Sequence, residues 1–215
     1  MINKEHLEKL RREYLQKGFH EKDAAENPFL QFSLWFNEAL ELGLIDANAM
    51  ALATAGKDGR PSNRIVLLKS FDESGFIFFT NYASRKGREL IQNPYAALLF
   101  YWEEISRQVR VEGNVEKISA EESALYFQLR PVESRLGAWA SEQSSIIESR
   151  EALEKRYNEL EKYYAEQVIP LPEFWGGFRV IPERIEFWQG RPGRLHDRLL
   201  YIKENNKWLI RRLAP

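Results

Sequence analysis

The stretch 184–202 concentrates side chains that could bind a flat, negatively charged ligand. Arg194, His196 and Arg198 fall at alternate positions of a pattern that predicts a β-strand. Because side chains repeat every second residue along a strand, all three are expected on one face, with Trp188 across a turn rich in Gly and Pro. Arginine offers a planar fork to phosphate or carbonyl oxygens, and the indole offers a flat apolar wall. The hairpin therefore predicts a binding site for a flat anion.

An ordinary surface hairpin is the alternative interpretation of the same residues. Its arginines would then pair with Glu186 and Asp197, as charged groups on a protein surface commonly do. His196 and Asp197 are neighbours on the predicted strand, so they point to opposite faces and do not form a catalytic dyad. The choice between a ligand site and a solvated hairpin depends on residues elsewhere in the chain.

A second group of cations stands where a helix is predicted to begin. Ser84 is the expected N-cap, which places Arg85 and Lys86 in the first turn, where the positive end of the helix dipole disfavours cations. Such a violation of a local rule is expected at functional sites. A bound phosphate would be contacted by backbone amides, the Ser84 hydroxyl and both cations. The alternative is that both long side chains extend into water; we favour the phosphate site.

Further donors lie on predicted strands and in a polar loop. Arg64 and Lys69 are five residues apart, a spacing that sends them to opposite faces of a regular strand. Gln108 places a neutral amide on another strand, where it suits the carbonyl and imide edge of a heteroaromatic ring. Gln143 and Ser144 add amide and hydroxyl donors from a loop. Arg64 and Lys69 could therefore serve two different anions, or one of them could simply be solvated.

Three polar side chains, Tyr126, Arg130 and Ser134, recur at intervals of four residues through a helix and its break at Pro131. That spacing brings side chains to one helical face. A donor set facing a small anion would show this pattern, and so would the exposed polar face of an ordinary helix.

The composition excludes several classes of protein. With 31 basic and 32 acidic residues, no net charge attracts the chain to nucleic acid or membranes. The absence of cysteine excludes disulfides and thiolate catalysis, and His6, His20 and His196 are too scattered for a metal cluster. No dinucleotide-binding GxGxxG follows a strand, and the P-loop and nucleophile-elbow motifs are absent. No apolar run is long enough to cross a bilayer, so a cytoplasmic location is expected.

Short strands and a few helices must position these side chains. Strands are predicted at residues 50–55, 62–69, 76–81, 95–102, 107–118, 184–189, 194–202 and 207–211. Helices are predicted at 3–17, after Asn27, after Ser84, at 119–128, after Pro131 and at 149–166. Antiparallel strands in hairpin order with few helices favour an α+β fold, a closed or nearly closed β-barrel wrapped by helices. We expect one domain, 1–215, with residues 1–26 as a mobile N-terminal arm.

Taken in order, these segments resemble the pyridoxamine 5′-phosphate oxidase family over residues 29–215. The matching motifs are RIVLLK (64–69), TN-x-x-SRK (80–86), RQVRVEG (107–113), GAW-x-x-x-QSS (137–145), FWGGFR (174–179), and IEFWQG, RLHDR and RLAP within 185–215. So many motifs in one order are more specific than any single motif. The resemblance implies a mainly antiparallel split β-barrel of the FMN-binding type, forming a homodimer with FMN at the subunit interface.

The resemblance also implies roles for individual residues by motif position. FMN would be bound by Arg64, Ile65, Val66, Leu67, Leu68, Lys69, Phe79, Thr80, Arg85, Lys86, Gln108, Gln143, Ser144, Trp188 and Arg198. The substrate would be bound by Lys69, Tyr126, Arg130, Ser134, Arg194 and His196, and by the N-terminal residues Arg11, Arg12, Glu13 and Tyr14. Arg194 and His196 would be the catalytic pair, holding the pyridine ring over the flavin. Phe79 stands where a tyrosine is often found, so a hydroxyl hydrogen bond is lost if that position contacts FMN through its side chain.

The implied activity belongs to vitamin B6 salvage and biosynthesis. It is the FMN-dependent oxidation of pyridoxamine 5′-phosphate and pyridoxine 5′-phosphate to pyridoxal 5′-phosphate, with dioxygen reduced to hydrogen peroxide and ammonia released from the amine. Because a fold alone does not determine function, a non-catalytic flavin- or pyridoxal-phosphate-binding protein and a flavin reductase are alternatives. A second phosphate pocket at Lys69, Tyr126, Arg130 and Ser134 would favour the oxidase over the reductase.

Overall fold

The computed structural model describes residues 18–215, so the predicted helix at 3–17 lies outside the described residues. Helices of the described chain are α1 (Pro28–Glu41), α2 (Arg85–Gln92), α3 (Ala120–Leu129), α4 (Val132–Ala140) and α5 (Arg150–Tyr163). The strands are β1 (Ala49–Ala55), β2 (Pro61–Leu67), β3 (Ser70–Asp72), β4 (Gly75–Asn81), β5 (Tyr95–Trp102), β6 (Arg107–Lys117), β7 (Trp175–Gln189), β8 (Asp197–Glu204) and β9 (Lys207–Arg212).

The strands confirm the predicted α+β class and the antiparallel split-barrel sheet. Hydrogen-bonded neighbours follow the order β2-β1-β5-β6-β7-β4-β3, and β8 and β9 continue from β7. Each of the pairs β1–β2, β3–β4, β4–β7, β7–β8 and β8–β9 is antiparallel. No helix of the described residues is both long and apolar enough to cross a membrane.

The chain divides into two compact units, and three strands contribute residues to both. Unit 1 comprises the described part of residues 1–47 together with 99–111 and 183–215. Unit 2 comprises residues 48–98 and 112–182. The expectation of a single domain with a mobile arm at 1–26 stays a prediction.

Helix α1 of unit 1 begins directly after Asn27, as predicted. The Asn27 side chain accepts a hydrogen bond from the Phe29 amide at 2.8 Å, and Gly43 adopts a left-handed φ of 70° just after the helix. The helical spacing of Phe29, Phe32, Phe36 and Leu40 predicts a stripe of buried side chains, and that prediction is wrong at its last residue. Leu40 is 52% exposed, and Ala39 is buried instead, because 3.6 residues per turn rotate a strict four-residue repeat off the buried face.

The core of unit 1 is aromatic. Phe32 packs against Phe100 with ring centroids 4.9 Å apart, and Trp35 meets Phe187 edge-on at 5.2 Å. Burying one such ring contributes about 1.5–3 kcal/mol. These contacts hold α1 on the part of the sheet that carries the β7–β8 hairpin, and that hairpin carries the predicted ligand residues.

The β7–β8 hairpin differs from its prediction at the turn. Strand β8 begins at Asp197, so the predicted strand at 194–196 is wrong. Pro192–Arg194 instead forms a 3-10 turn in which Gly193 and Arg194 have φ values of 63° and 65°. Two consecutive left-handed residues cannot continue a strand. The shared strand face expected for Arg194, His196 and Arg198 therefore does not exist, although Trp188 pairs directly opposite Arg198.

Unit 2 is built from the hairpins β1–β2 and β3–β4 and from the first part of β7. The predicted strand 62–69 ends early, since β2 stops at Leu67 and β3 starts at Ser70. Ser119 caps α3 at the predicted helix start, because its hydroxyl accepts a hydrogen bond from the Glu122 amide at 3.0 Å. The predicted helix 149–166 is shorter than expected and ends at Tyr163.

Close packing of β7 in unit 2 requires glycine. A Cβ atom on Gly176 would lie 2.1 Å from the Tyr82 hydroxyl, and one on Gly177 would lie 2.5 Å from the Ile118 side chain. Gly176 is paired with Thr80 on β4, so the absence of side chains here brings the strands and helix α3 together. Phe127, Leu136, Ile169 and Trp175 form the adjoining buried cluster.

Candidate active site

The N-terminus of α2 presents a buried lysine. The Ser84 hydroxyl caps the helix by accepting from the Gly87 amide at 3.3 Å. Lys86 is only 8% exposed, and its Nζ donates to Thr80 Oγ1 at 3.2 Å and to Gln143 Oε1 at 3.1 Å. Burial, followed by repulsion from Arg64, lowers the pKa of Lys86. No ion pair to Lys86 is present within residues 18–215, so this buried cation has only neutral partners.

Arg85 behaves differently from Lys86. Its side chain is 59% exposed and its Nε donates to Glu89 Oε1 at 2.8 Å, one helical turn further along. The alternative expectation, that both long side chains extend into water, therefore describes Arg85 but is wrong for Lys86. The two residues predicted as one phosphate-binding pair lie in different electrostatic settings.

Glu89 is the centre of a polar cluster. Its Oε2 accepts hydrogen bonds of 2.5 Å from both Thr54 and Ser62, and it lies 3.4 Å from Arg64 Nη2. Burial alone raises the pKa of Glu89, but these hydroxyl bonds and the contact with Arg85 outweigh it and hold the pKa at about 2. Sequence reasoning missed Glu89; the signal was an acidic residue four positions after Arg85 on a predicted helix.

A cavity of about 480 Å³ in unit 2 brings together many of the predicted site residues, a volume within the range of small-molecule sites. We call it the cationic cavity. It is lined by Ile65, Val66, Leu67, Lys69, Phe79, Thr80, Lys86, Tyr126, Leu129, Arg130, Pro131, Ser134, Gln143 and Trp175. Leu129, Pro131 and Trp175 were not expected from the sequence.

Arg130 carries the most informative geometry in the cationic cavity. Its Nη1 is buried and has no hydrogen-bond partner among the residues that the structure describes. Its Cζ lies 4.7 Å from the centroid of the Trp175 ring, and burial lowers the pKa of the guanidinium. A buried donor without an acceptor costs about 1–3 kcal/mol, and more when charged. An anion in the cavity would remove that cost.

An aromatic stack forms one wall of the same cavity. The Phe79 ring contacts Tyr126, at 4.0 Å between ring centroids, and Trp175, at 5.3 Å, with all three rings nearly parallel. The phenylalanine at this position therefore acts through its ring face in the structure. These ring contacts hold Trp175 in place, and the Arg130 guanidinium lies over the Trp175 ring.

Four predicted residues of unit 2 lie outside the cationic cavity. Arg64 and Arg85 contact Glu89, and the backbone amide of buried Leu68 donates to Asn48 O at 2.8 Å. Ser144, with a left-handed φ of 74°, lines a separate cavity of about 310 Å³. The structure therefore separates the expected cofactor residues of unit 2 into more than one location.

Unit 1 holds the remaining candidates. The His196 and Trp188 rings are 4.6 Å apart between centroids, as expected across the hairpin. His196 Nδ1 accepts a hydrogen bond from the Arg191 amide at 3.1 Å. Burial, and then the nearby Arg194 charge, lower the pKa of His196. Arg194 itself is exposed, and Gln108 is half-buried on β6.

Two acidic residues of this hairpin bind its arginines, as the surface-hairpin interpretation predicted. Glu186 Oε1 accepts from Arg198 Nε at 2.7 Å. Asp197 pairs with Arg212 at 2.8 Å and with Arg191 at 3.4 Å. Ion pairing therefore does occur here, and it holds Arg198 in place.

The N-terminal residues Arg11, Arg12, Glu13 and Tyr14, predicted to bind the substrate, lie outside the described residues. Residues 18–215 contain no group of three or more side chains that could hold a metal ion.

Comparison with known proteins decides the family. Residues 36–164 match the family model described as pyridoxamine 5′-phosphate oxidase. Residues 175–215 match the model described as the pyridoxine 5′-phosphate oxidase C-terminal dimerisation region. This chain belongs to the pyridoxamine 5′-phosphate oxidase family. The second match supports homodimer formation within that family.

Curated members of the oxidase family cover almost the whole chain. The pyridoxine/pyridoxamine 5′-phosphate oxidase of Gloeothece citriformis is 59% identical over 207 residues, which are 96% of this chain and 97% of that protein. The enzyme of the same name from Burkholderia multivorans is 58% identical, covering 97% of this chain and 99% of its own. Family membership and these names support an oxidoreductase.

Solved structures of the oxidase family and its relatives share the fold. PhzG from Burkholderia lata, in complex with tetrahydrophenazine-1-carboxylic acid, is 33% identical with a TM-score of 0.87, covering 93% of this chain and 99% of its own. A pyridoxamine 5′-phosphate oxidase-related, FMN-binding protein from Nostoc punctiforme is 20% identical with a TM-score of 0.68, covering 89% and 98%. The latter likeness concerns the fold alone.

Proposed function

We propose that this chain catalyses the FMN-dependent oxidation of pyridoxamine 5′-phosphate and pyridoxine 5′-phosphate to pyridoxal 5′-phosphate. The amine, water and dioxygen would give the aldehyde, ammonia and hydrogen peroxide; the alcohol and dioxygen would give the aldehyde and hydrogen peroxide. Relatives with 59% and 58% identity carry the corresponding name. The cationic cavity offers the kind of anion site that a phosphorylated substrate needs.

The observation that carries the proposal is the buried, unpartnered Nη1 of Arg130 in the described part of the chain. A guanidinium fork matches two oxygens of a phosphate, and charge-assisted hydrogen bonds of this kind are about twice as strong as neutral ones. Lys69, Tyr126 and Ser134 line the same cavity and would add a second cation and two hydroxyl donors. This donor set fits the substrate phosphate.

A second part of the cationic cavity suits the cofactor. Lys86 is a buried cation whose present partners, Thr80 and Gln143, are neutral. Together with Arg64 and Arg85, it would bind the FMN phosphate, and the 65–68 segment would contact the ring system. When bound, FMN supplies the hydride acceptor for the oxidised carbon and passes the electrons to dioxygen. The cations and amides of this chain fit such an anionic, flat group.

Residues of unit 1 would orient the flat rings. Trp188, Gln108 and Arg198 would contact the flavin, and Arg194 and His196 would hold the pyridine ring of the substrate. The lowered pKa of His196 keeps its imidazole neutral at neutral pH. Since Nδ1 accepts from the Arg191 amide, the proton of the neutral ring lies on Nε2, which can donate to a substrate oxygen. Their role would be orientation, because hydride transfer requires little proton transfer at the carbon.

The proposed active form is a homodimer with FMN at the subunit interface. Support comes from the match of residues 175–215 to a dimerisation region. Ser144, and the N-terminal residues Arg11, Arg12, Glu13 and Tyr14, would complete the contacts to cofactor and substrate.

Oxygen uptake tests the proposal. The purified protein, loaded with FMN, is mixed with pyridoxamine 5′-phosphate, and oxygen consumption and formation of pyridoxal 5′-phosphate are followed together. Pyridoxamine without its phosphate is the matched control, and it should react far more slowly because it leaves Arg130 unpaired. Equal rates with and without the phosphate would contradict the assignment of the cationic cavity.

The rival functions give different results in the same assay. A flavin reductase would oxidise a reduced nicotinamide and leave pyridoxamine 5′-phosphate unchanged. A non-catalytic binding protein would hold flavin or pyridoxal phosphate without consuming oxygen. Tetrahydrophenazine-1-carboxylic acid, the ligand of PhzG, is a further comparison compound that lacks a phosphate. Failure of the protein to bind any flavin would overturn the proposal.

A further inference from the structure

Glu186 is a buried carboxylate to which the motifs assign no role. It is 4% exposed and lies on β7, where Ile185 and Phe187 face the hydrophobic core. Because side chains alternate along a strand, Glu186 points to the opposite face, the one that also carries Trp188. Arg198 is the direct cross-strand partner of Trp188. Glu186 therefore shares a face with two residues proposed to contact the flavin.

The contacts of Arg198 leave one edge of its guanidinium available. Nε donates to Glu186 Oε1 at 2.7 Å, and Nη1 donates to Ala214 O at 2.9 Å. Nη2 makes no hydrogen bond within the described chain, and the side chain is 26% exposed. The Glu186 carboxylate and the Ala214 carbonyl thus hold two of the three guanidinium nitrogens and leave Nη2 without a partner in the described chain.

The same carboxylate also binds a second arginine. Glu186 Oε2 accepts from Arg110 Nη1, on β6, at 3.1 Å. Taking a carboxylate out of water costs several kcal/mol, and a well-packed apolar residue often serves stability as well as a buried ion pair does. Hydrogen bonding to Glu186 raises the pKa of Arg198, so the guanidinium charge is strongly coupled to this carboxylate. Stability alone therefore gives a weak account of Glu186.

We propose that Glu186 is a positioning residue that sets the direction and the effective charge of Arg198, and through Arg198 the reduction potential of bound FMN. The proposal rests on the proposed function, since it requires that Arg198 contact the flavin. A cation beside the flavin favours the reduced form, which carries more negative charge. The carboxylate at 2.7 Å offsets part of that cation and keeps the potential lower than Arg198 alone would set it.

The test compares the midpoint potential of FMN in the wild-type holoprotein and in Glu186→Gln. Glutamine retains an acceptor for Arg198 Nε but removes the negative charge. We expect the preference for reduced FMN to rise about tenfold, which is about 30 mV for a two-electron couple. The dissociation constant of oxidised FMN should change less than about threefold, because Arg198 stays in position.

Two further variants make the result decisive. Arg110→Gln leaves Glu186 with Arg198 as its principal cation, so the potential should move in the opposite direction, downward. Glu21→Gln is the matched control, because Glu21 also pairs with an arginine of unit 1 at 2.7 Å but contacts none of the proposed flavin residues. It should leave the potential unchanged.

The outcomes separate this inference from the proposed function. The potential is measured by dye-coupled reduction without any B6 compound, so it does not depend on turnover. A wild-type protein that takes up no FMN would refute the proposed function. If flavin-loaded Glu186→Gln changes the preference for reduced FMN by less than about twofold, the role of Glu186 alone is overturned. If Glu186→Gln fails to fold, an unshifted or raised midpoint potential in Arg110→Gln would overturn the role of Glu186 instead.

Discussion

The cationic cavity of unit 2 and strands β8 and β9 of unit 1 hold their cations in different electrostatic settings. In the cationic cavity of unit 2, the buried Lys86 and the half-buried Arg130, whose Nη1 is itself buried, have no carboxylate partner among the described residues. In unit 1, Arg198 and Arg212 each bind carboxylates, at 2.7 to 2.8 Å. A buried cation without a counter-charge is costly, whereas a paired one is already compensated. We therefore propose that the cationic cavity of unit 2 supplies affinity for anions and that the β7–β8 hairpin of unit 1 supplies orientation.

Arg130→Met should produce the largest change. If the guanidinium binds the substrate phosphate, its loss costs about 2–5 kcal/mol, and the KM for pyridoxamine 5′-phosphate should rise about 100-fold. The free energy of unfolding should stay level or increase, because an unpaired buried charge is removed. Steady-state kinetics and urea unfolding measure the two effects.

The control for Arg130→Met is Arg150→Met, at a side chain that is 82% exposed and pairs with Glu154 on α5. It should change neither quantity appreciably. If Arg130→Met instead lowers stability and leaves KM unaltered, then Arg130 serves the fold and the contrast between the units fails.

Lys86→Ala should be next in size. Losing a charge-assisted contact to the FMN phosphate should weaken cofactor binding by about 1.5–3 kcal/mol, or roughly 10- to 150-fold in Kd. Fluorescence titration of the apoprotein with FMN measures it. Arg88→Ala is a matched control on the same helix, because Arg88 is exposed and its side chain caps the Ala83 carbonyl. Unchanged flavin affinity in Lys86→Ala would contradict the phosphate assignment at this helix end.

Arg194→Ala and His196→Ala probe the orienting role of unit 1. Both proteins should stay yellow, with kcat lowered about tenfold, or ~1.4 kcal/mol of transition-state stabilisation. The visible flavin spectrum and oxygen-uptake kinetics distinguish binding from turnover. If the variants are colourless, they have lost FMN, and these residues of unit 1 would then contribute to cofactor affinity.

How far the sequence predicts the molecule differs from segment to segment for physical reasons. Strands β5 and β6 and the caps at Ser84 and Ser119 follow local rules, periodicity and side-chain capping, so their positions were predicted closely. The segment before Asp197 was predicted wrongly because an alternating pattern does not reveal left-handed backbone at Arg194.

The site shows the same division. Motif order identified most residues of the cationic cavity, including Arg130. It did not identify Glu89, whose one signal in the sequence is its spacing of four residues from Arg85. Glu186 was predicted only as an ion-pair partner of the hairpin arginines, because its contact with Arg198 in particular depends on the pairing of β7 with β8. Trp175 was missed as a cavity residue because its stacking against Phe79 joins strands far apart in sequence.

Glu21→Gln should give the smallest effect, a small loss in the free energy of unfolding. It tests whether carboxylates compensate the cations of unit 1. Glu21 receives hydrogen bonds from Arg212 at 2.8 and 2.7 Å, and these hold its pKa at about 2, against 4.5 for an unperturbed glutamate. Because the side chain is half exposed, the pair should contribute at most about 1 kcal/mol to the free energy of unfolding at pH 7.

The pH dependence of that small difference identifies its cause. Since the folded-state pKa lies below the unfolded value, the contribution of Glu21 is fully present above pH 4.5 and is lost as the pH falls towards 2. Urea unfolding at pH 7 and pH 3 should therefore show that the difference in the free energy of unfolding between wild type and Glu21→Gln is smaller at pH 3. An equal difference in the free energy of unfolding at both pH values would mean that Glu21 acts by packing. The carboxylates of unit 1 would then not compensate its cations, contrary to what their distances indicate.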